Sequence, residues 1–286
     1  MKNAIEIKNL IKEYDSKFKL GSISLQIPSG CIVGLIGENG AGKTTLIKCI
    51  LNIIKSNSGE ITIFNKDHIK EERLIKEDVG VVLDNMFFPE LLTPKDINSI
   101  MKDIYKNWDE NLFMTYIDKF KLQKNKSIKT MSKGMRKKLE IITALSHHPK
   151  LLILDEATSG LDPVVRSEIL DIFLDFIQDE NHTILLSTHI TSELEHIADH
   201  IVFLNNGQIV LNKKRDDIID HYGILKCDIN DIDKIDKQDI ITYKKSKYYY
   251  EILISDKGKM SKKYENYVID KITLEELMVL MIKGVK

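Results

Sequence analysis

The sequence has no apolar run long enough to cross a bilayer. Runs such as residues 31–37 and 151–154 fall far short of the roughly 20 residues that a membrane-spanning helix needs. Residues 1–13 alternate charged and apolar side chains and contain no hydrophobic signal core. We therefore expect a cytosolic chain that reaches any membrane through a separate partner.

Cysteine is scarce, and neither sign of charge dominates. Cys31, Cys49 and Cys227 are too few and too scattered for a disulfide framework or a zinc site, so we expect them to be small apolar side chains. The chain has 42 Lys and Arg against 43 Asp and Glu, a formal net charge of -1. This balance argues against nucleic acid as a partner, because broad attraction to phosphate needs an excess of basic residues.

Short β-branched runs alternate with amphipathic stretches through about residue 215, which predicts an α/β domain with a buried sheet. The chain has 286 residues, of which 43% are hydrophobic, and it is therefore long enough for one such domain and a second, smaller unit. The predicted strands are 4–7, 23–27, 31–36, 60–64, 79–83, 151–154, 183–187 and 201–204. Helical patterns cover 43–53, 93–121 with a second start near 108–109, 132–147, 163–177 and 191–198.

The composition changes after about residue 215. Residues 216–270 are rich in Asp, Lys, Ile and Tyr and contain a strand-like run at 248–254. A final amphipathic helix is predicted over 273–282, with Thr273 and Glu276 spaced as in a capping box. We predict a small separate α+β unit over 216–286 whose last helix packs on its own domain.

The most specific local pattern is a phosphate-binding loop. It follows a predicted strand directly, opens a predicted helix and fits G-x-x-x-x-G-K-[ST]. Backbone N–H groups of such a loop surround a phosphate, while the lysine bridges the β- and γ-phosphates of ATP and the first hydroxyl binds Mg²⁺. The loop consists of Gly37, Glu38, Asn39, Gly40, Ala41, Gly42, Lys43, Thr44 and Thr45.

A second pattern places two acids at the end of an apolar strand. Residues 151–154 lead directly into Asp155 and Glu156. With a phosphate loop upstream, Asp155 is expected to hold Mg²⁺ and Glu156 to orient or deprotonate the attacking water. The alternative is an aspartate that merely caps the following helix.

Together these motifs resemble the ATPase subunits of ABC transporters, and the resemblance covers about residues 1–215. Ser132-Lys133-Gly134-Met135-Arg136 is similar to a degenerate form of the family signature, usually LSGGQ, which contacts the γ-phosphate of ATP held by the opposite subunit. Ser132 and Gly134 are retained. The implied fold is a P-loop NTPase core with a helical subdomain at about 85–150.

The resemblance also assigns roles to scattered residues. The segment ending at Asp162 is similar to the D-loop, which lines the dimer interface in this family. His189 matches the switch histidine that senses the γ-phosphate. Tyr14 matches the aromatic residue that stacks on adenine, against the alternative of an ordinary surface or core tyrosine.

One position departs from the family pattern. Where the Q-loop glutamine generally follows the strand at 79–83, this chain has Asp84 and then Asn85. Asp84 is the expected metal ligand, because a carboxylate is a hard oxygen donor for Mg²⁺. Asn85 remains the alternative. Acidic variants at this position resemble the ATPases of small two-component exporters, including those for antimicrobial or cytolytic peptides.

The function implied is Mg²⁺-dependent ATP hydrolysis that powers export through a separate membrane permease. The expected assembly is a head-to-tail dimer with a second copy or a paralogue, on the cytoplasmic face of the membrane. An importer ATPase is the alternative within the family, and a mechanical ATPase acting on DNA or ribosomes is the alternative outside transport. The stretch between Lys43 and Asp155 leaves no room for the long coiled coil of chromosome-maintenance ATPases.

Overall fold

The computed structural model describes residues 2–14, 18–84 and 88–285. An antiparallel sheet of order β2-β1-β4-β5 forms the first layer. Its strands alternate buried and exposed residues, as a sheet with one covered face does. The strands are β1 (Asn3–Tyr14), β2 (Phe18–Pro28), β4 (Ser58–Ile63) and β5 (Lys66–Asp67), and β3 (Ile32–Ile36) belongs to the central sheet.

The central sheet has the order β10-β9-β3-β8-β7-β6. All neighbouring pairs are parallel except β10 on β9. Every residue of β3, β7 and β8 is buried, as expected for parallel strands covered on both faces. The remaining strands are β6 (Val79–Val82), β7 (Leu151–Asp155), β8 (Thr183–Ser187), β9 (His200–Asn205) and β10 (Gln208–Lys214).

Helices cover the two faces of this sheet. On one face, α1 packs between the central and antiparallel sheets in an apolar cluster that includes Leu46 and Val33. On the other face, α6 and α7 contribute Phe173 and Leu194 to a second cluster. The helices are α1 (Lys43–Ile50), α2 (Glu72–Glu77), α6 (Pro163–Phe176), α7 (Thr191–Ile197) and α8 (Arg215–His221). Helix α1 ends before the predicted residue 53, since Asn52 adopts a left-handed φ of 53°.

Helices α3 (Pro94–Ile104), α4 (Glu110–Lys119) and α5 (Lys133–Leu145) lie between β6 and β7 in the chain. Side chains cap each start: Thr93 in a capping box with Asp96, Asp109 for α4, and Ser132 for α5. These helices share an apolar cluster of their own around the fully buried Phe113. The predicted break in the long helical pattern at 108–109 is confirmed.

The tail forms an antiparallel sheet of order β12-β13-β11-β14 with its own apolar cluster. Its elements are β11 (Gly223–Asp228), β12 (Thr242–Lys245), β13 (Tyr249–Ile254), α9 (Lys257–Lys263), β14 (Val268–Lys271) and α10 (Leu274–Lys283). The capping box of Thr273 and Glu276 at the start of α10 is confirmed.

Helix α10 also joins the tail to the rest of the molecule. Leu277 of α10 belongs to the same apolar cluster as Leu194 of α7. The carboxylate of Glu195 accepts a hydrogen bond from the backbone N–H of Leu274 at 2.6 Å. The tail therefore has its own sheet, and its last helix is packed against the core. None of the helices in the described part of the chain has the length and apolarity that a bilayer crossing requires.

Candidate active site

The site lies where adjacent parallel strands end. Strands β3, β8, β7 and β6 are neighbours in the central sheet, and their carboxyl ends share one edge. The phosphate loop follows β3, Asp155 ends β7, and Asp84 follows β6 by two residues. Register places Asp155 beside Ser187 at the end of β8. Side chains far apart in the sequence therefore converge, because parallel strands point the same way.

The loop's backbone depends on glycine at its two ends. A Cβ on Gly37 would lie 2.3 Å from the carbonyl O of Leu204, so no larger residue fits there. Gly42 has a φ of 109° at the N-cap of α1, in the left-handed region that favours glycine. The loop therefore runs close to β9, and α1 begins with its N-terminus at the cavity described below.

Lys43 folds back onto its own loop. Its ammonium donates to the carbonyl O of Gly37 at 2.7 Å and to that of Glu38 at 3.3 Å. It also lies 3.8 Å from a carboxylate oxygen of Glu156. Burial lowers the pKa of Lys43, while Glu156 and Asp155 act to raise it. The cation is thus held over the loop by weak neutral acceptors, which a phosphate can replace.

Asp155 is fully buried at the end of β7. Neither of its carboxylate oxygens has a hydrogen-bond partner among the described residues. Burying a carboxylate without a partner costs free energy, so we expect a cation or water to bind Asp155 at the site.

Glu156 has a strained backbone and a defined partner. Its φ of 52° is left-handed, which is unusual for a residue with a side chain. Its N–H donates to the carbonyl O of Ser187 at 2.9 Å, which ties the ends of β7 and β8 together. Its carboxylate accepts from Nδ1 of His189 at 2.7 Å. The pair predicted from the sequence as catalytic is therefore in direct contact.

A cavity of about 480 Å³ brings most of the predicted site residues together. Tyr14 lies on its wall with 42% of its surface exposed, and the ammonium of Lys12 lies 4.9 Å from the centre of its ring. Asp84 and the exposed Thr44 also line the cavity. The lining comprises Tyr14, Phe18, Glu38, Asn39, Gly40, Gly42, Lys43, Thr44, Thr45, Asp84 and Glu156.

Other predicted residues lie outside this cavity. Ala41, a residue of the loop itself, is buried and does not line the cavity. Ser132 accepts from the N–H of Met135 and so caps α5. Gly134, on the first turn of α5, lies against Val165 of α6. The carboxylate of Asp162 accepts from the N–H groups of Val164 and Val165, so within one subunit it serves as a helix cap.

The structure therefore gives Ser132 and Asp162 local partners of their own and does not bring them to the nucleotide cavity of the same chain. Asn85, the alternative to Asp84, lies outside the described residues.

Sequence patterns missed Phe18 as a lining residue, and they assigned no individual role to Glu38, although it lies within the predicted loop. Phe18 begins β2, and its ring is 2.8 Å from the position a Cβ would take on Gly42. No local signal marks it, because its place depends on how β2 meets the loop.

Comparison with known proteins identifies the family. The ABC transporter family model matches residues 20–159. The bacitracin transport ATP-binding protein BcrA of Bacillus licheniformis is 34% identical over 73% of this chain and 69% of its own length. The lantibiotic transport ATP-binding protein SrtF of Streptococcus pyogenes is 33% identical over 74% of this chain and 91% of its own. The chain belongs to the ABC transporter ATP-binding proteins.

A solved structure of an ATP-binding subunit of an ABC transporter agrees with this assignment. It superimposes with a TM-score of 0.69 at 28% identity, over 75% of this chain and 91% of its own. The predicted P-loop ABC ATPase fold is confirmed, and the chain is an ATP-binding and ATP-hydrolysing subunit of this family.

Proposed function

We propose that this ABC ATPase hydrolyses Mg²⁺-bound ATP to power export of an antimicrobial peptide through a separate membrane permease. The observation that carries the chemistry is the Glu156–His189 contact of 2.7 Å beside the unpartnered Asp155. Lys43 lies at the same place, between the loop and Glu156. The arrangement holds a general base, a cation and a buried acid where β7 and β8 end.

Mg²⁺ fits the residues at this edge. Asp155 offers two unpartnered carboxylate oxygens, Thr44 a hydroxyl and Asp84 a second carboxylate, all of them oxygen donors that Mg²⁺ prefers. Within the described residues, no group of three His, Cys, Asp and Glu side chains converges on one point. Phosphate oxygens and water would complete the set. Bound Mg²⁺ would neutralise charge on the phosphates.

The chain's own residues then have distinct tasks. The ammonium of Lys43 moves from the Gly37 carbonyl to the β- and γ-phosphates, which are much stronger acceptors. Glu156 accepts the proton of the attacking water or orients it. His189 holds that carboxylate through Nδ1, which leaves Nε2 to face the γ-phosphate. Tyr14 offers its exposed ring to adenine.

The second half of the site comes from another subunit in this proposal. Ser132 and Gly134 stand at the N-terminus of α5, where the helix dipole favours an anion, yet they lie outside the nucleotide cavity of their own chain. A head-to-tail dimer places them on the γ-phosphate held by the partner subunit. Asp162 caps α6, and in this dimer it would also line the interface between the subunits.

This chain has a groove that suits a segment of the permease. A second cavity of about 610 Å³ lies between the core and the helical segment, lined by α1, α2 and β6 on one side and α3 and α5 on the other. Its walls are mainly apolar, and they expose Ile53 and Val81. Exposed apolar side chains in a concave site favour a protein partner. A permease segment seated here would hold the ATPase at the cytoplasmic face of the membrane.

The peptide cargo is supported by the relatives named for bacitracin and lantibiotic transport. The test uses bacterial cells that lack the chain and its neighbouring permease gene and then receive both. We expect the minimum inhibitory concentration of bacitracin or a lantibiotic to rise at least fourfold with the wild-type chain and to stay at baseline with Lys43→Ala. Lys70→Ala, an exposed lysine far along the chain from the loop, is the matched control.

Other outcomes would contradict the export proposal. Energy-dependent accumulation of the peptide inside the cells would indicate an importer. An ATPase that is active but copurifies with no integral membrane protein would favour a mechanical ATPase. Equal protection by wild type and Lys43→Ala would show that hydrolysis does not drive the resistance.

A further inference from the structure

Glu193 of α7 is a buried acid to which sequence patterns assign no role. It is only 3% exposed. Its Oε2 accepts from the hydroxyl of Thr158 at 2.8 Å and from the hydroxyl of Thr188 at 3.4 Å. Its Oε1 lies 3.2 Å from Nε of Arg166, an ion-pair distance without hydrogen-bond alignment. One carboxylate thus contacts side chains from separate segments of the chain.

Two of the residues that contact Glu193 are sequence neighbours of site residues. Thr158 is two residues after Glu156, and Thr188 directly precedes His189. The Thr188 hydroxyl also accepts from the N–H of Ile190, so it shapes the backbone on both sides of His189. Glu193 therefore joins the segment that carries the proposed base to the segment that carries its histidine partner.

Arg166 extends this network to the segment ending at Asp162. Its Nη2 donates to the carbonyl O of Leu161 at 3.2 Å. The guanidinium is thus shared between Glu193 and the backbone just before Asp162. Since Asp162 caps α6, on which Arg166 lies, the start of α6 is linked to the same carboxylate.

The site needs such support. Glu156 holds a left-handed backbone that a residue with a side chain disfavours, so neighbouring structure must keep it there. His189 is 46% exposed, so burial alone does not fix its ring. The 2.7 Å contact between them depends on the relative position of two loops. Buried contacts to Thr158 and Thr188 restrain both loops from beneath.

We propose that Glu193 is a positioning residue for ATP hydrolysis, which holds Glu156 and His189 in contact through Thr158 and Thr188. Through Arg166 it also ties this pair to the segment at Asp162. The inference rests on the proposed roles of Glu156 and His189. It assigns no chemical step to Glu193, whose carboxylate is shut away from the nucleotide cavity.

The test compares Glu193→Gln, Glu193→Ala and Thr158→Val with Glu195→Gln and Glu195→Ala. Glu195 is an acid on the same helix, but its carboxylate binds the N–H of Leu274 in the tail. We expect kcat for ATP to fall about 10- to 100-fold in Glu193→Ala, since small misplacements of reacting groups cost that much. The dissociation constant of a non-hydrolysable ATP analogue should change less than about threefold.

Glu193→Gln should retain intermediate activity, because its amide oxygen still accepts from Thr158. The Glu195 variants should lower the melting temperature with less than a twofold change in kcat. In a double-mutant cycle, the effects of Glu193→Ala and Thr158→Val on kcat should be non-additive, because both changes remove the same hydrogen bond. Should Glu193→Ala fail to fold, Glu193→Gln and Thr158→Val decide the question.

A second readout does not depend on turnover. In nucleotide-free protein labelled at histidine, the NMR signal of the His189 ring should shift in Glu193→Gln and stay unchanged in Glu195→Gln. Wild-type kcat in both Glu193→Gln and Thr158→Val, with an unmoved His189 signal, would overturn the inference. If Glu156→Gln itself retains turnover, the role proposed for Glu156 fails instead, so the two failures are distinguishable.

Discussion

Lys137 and Glu140 form a buried ion pair on α5, with the ammonium 2.8 Å from a carboxylate oxygen. Both side chains are less than a tenth exposed. The same ammonium donates to the carbonyl O of Leu83 at 2.9 Å, which fastens the residue before Asp84 to α5. Burial raises the pKa of Glu140, and the adjacent lysine opposes that rise. Glu140 also lines the groove, and Leu83, which Lys137 holds, directly precedes Asp84 of the nucleotide cavity.

Removing one partner of this pair should be strongly destabilising. Lys137→Met leaves Glu140 buried without its cation, and we expect the free energy of unfolding to fall by about 3–5 kcal/mol. The double variant Lys137→Met/Glu140→Leu should recover most of that loss, because no charge stays buried. Urea denaturation followed by circular dichroism measures both.

The matched control for the ion pair is Lys102→Met. Lys102 pairs with Glu110 on the surface of the same helical segment, where such a pair contributes at most about 1 kcal/mol. Equal destabilisation by the single and double variants of Lys137 would show that packing, rather than charge, dominates at this position.

Glu156→Gln should separate ATP binding from ATP hydrolysis. The amide keeps the size of the side chain but cannot accept a proton, so we expect turnover to fall about 10²- to 10⁴-fold. ATP binding should persist, and ATP should trap a dimer that elutes early in size-exclusion chromatography. Glu180→Gln, at an exposed acid, is the control. Near-normal hydrolysis in Glu156→Gln would remove the general-base assignment.

Asp84→Gln should weaken the binding of Mg²⁺. Replacing a carboxylate by an amide removes one negative charge from the cavity wall, so half-maximal activation should need more Mg²⁺, by about tenfold or more. Titration of ATPase activity with Mg²⁺ measures the shift. Asp78→Asn tests the opposite end of β6, where the carboxylate pairs with Lys150. An identical Mg²⁺ profile in Asp84→Gln and wild type would leave Asp84 as a surface residue only.

His147 should make the fold acid-sensitive. The imidazole is 1% exposed, stacks on Tyr105 at 4.0 Å and has Nε2 3.3 Å from the carbonyl O of Val79. Burial lowers the pKa of His147 in the folded protein. Below about pH 6.5 the unfolded chain therefore takes up a proton at this residue before the folded protein does. Stability then falls as the pH falls, by at most about 1.4 kcal/mol per pH unit for one proton.

His147→Gln should flatten the fall in stability between pH 6.5 and the lower folded-state pKa. Urea midpoints at several pH values measure the slope. His196→Gln, at an exposed histidine, is the control. A wild-type slope in His147→Gln would assign the acid sensitivity to other groups.

Local sequence patterns predicted the helix caps and buried strands that interactions within a short stretch of chain determine. The caps at Thr93, Asp109 and Thr273 and the buried strand before Asp155 follow from hydrogen bonding and side-chain periodicity within a few residues. The same patterns missed β11, β12 and β14 of the tail, where short strands with mixed polar residues are stabilised by their neighbours in the sheet.

The phosphate loop and the paired acids were determined by the sequence, because their spacing between a strand and a helix fixes the local backbone. What the sequence could not decide are contacts between residues distant in the chain. Lys137 meets Leu83 across 54 positions, and Glu193 meets Thr158 across 35. Such contacts exist only once parallel strands have brought their ends to one edge of the sheet. The tertiary structure therefore decided which buried groups support the site. The sequence determined which residues are available to bind the nucleotide and carry out catalysis.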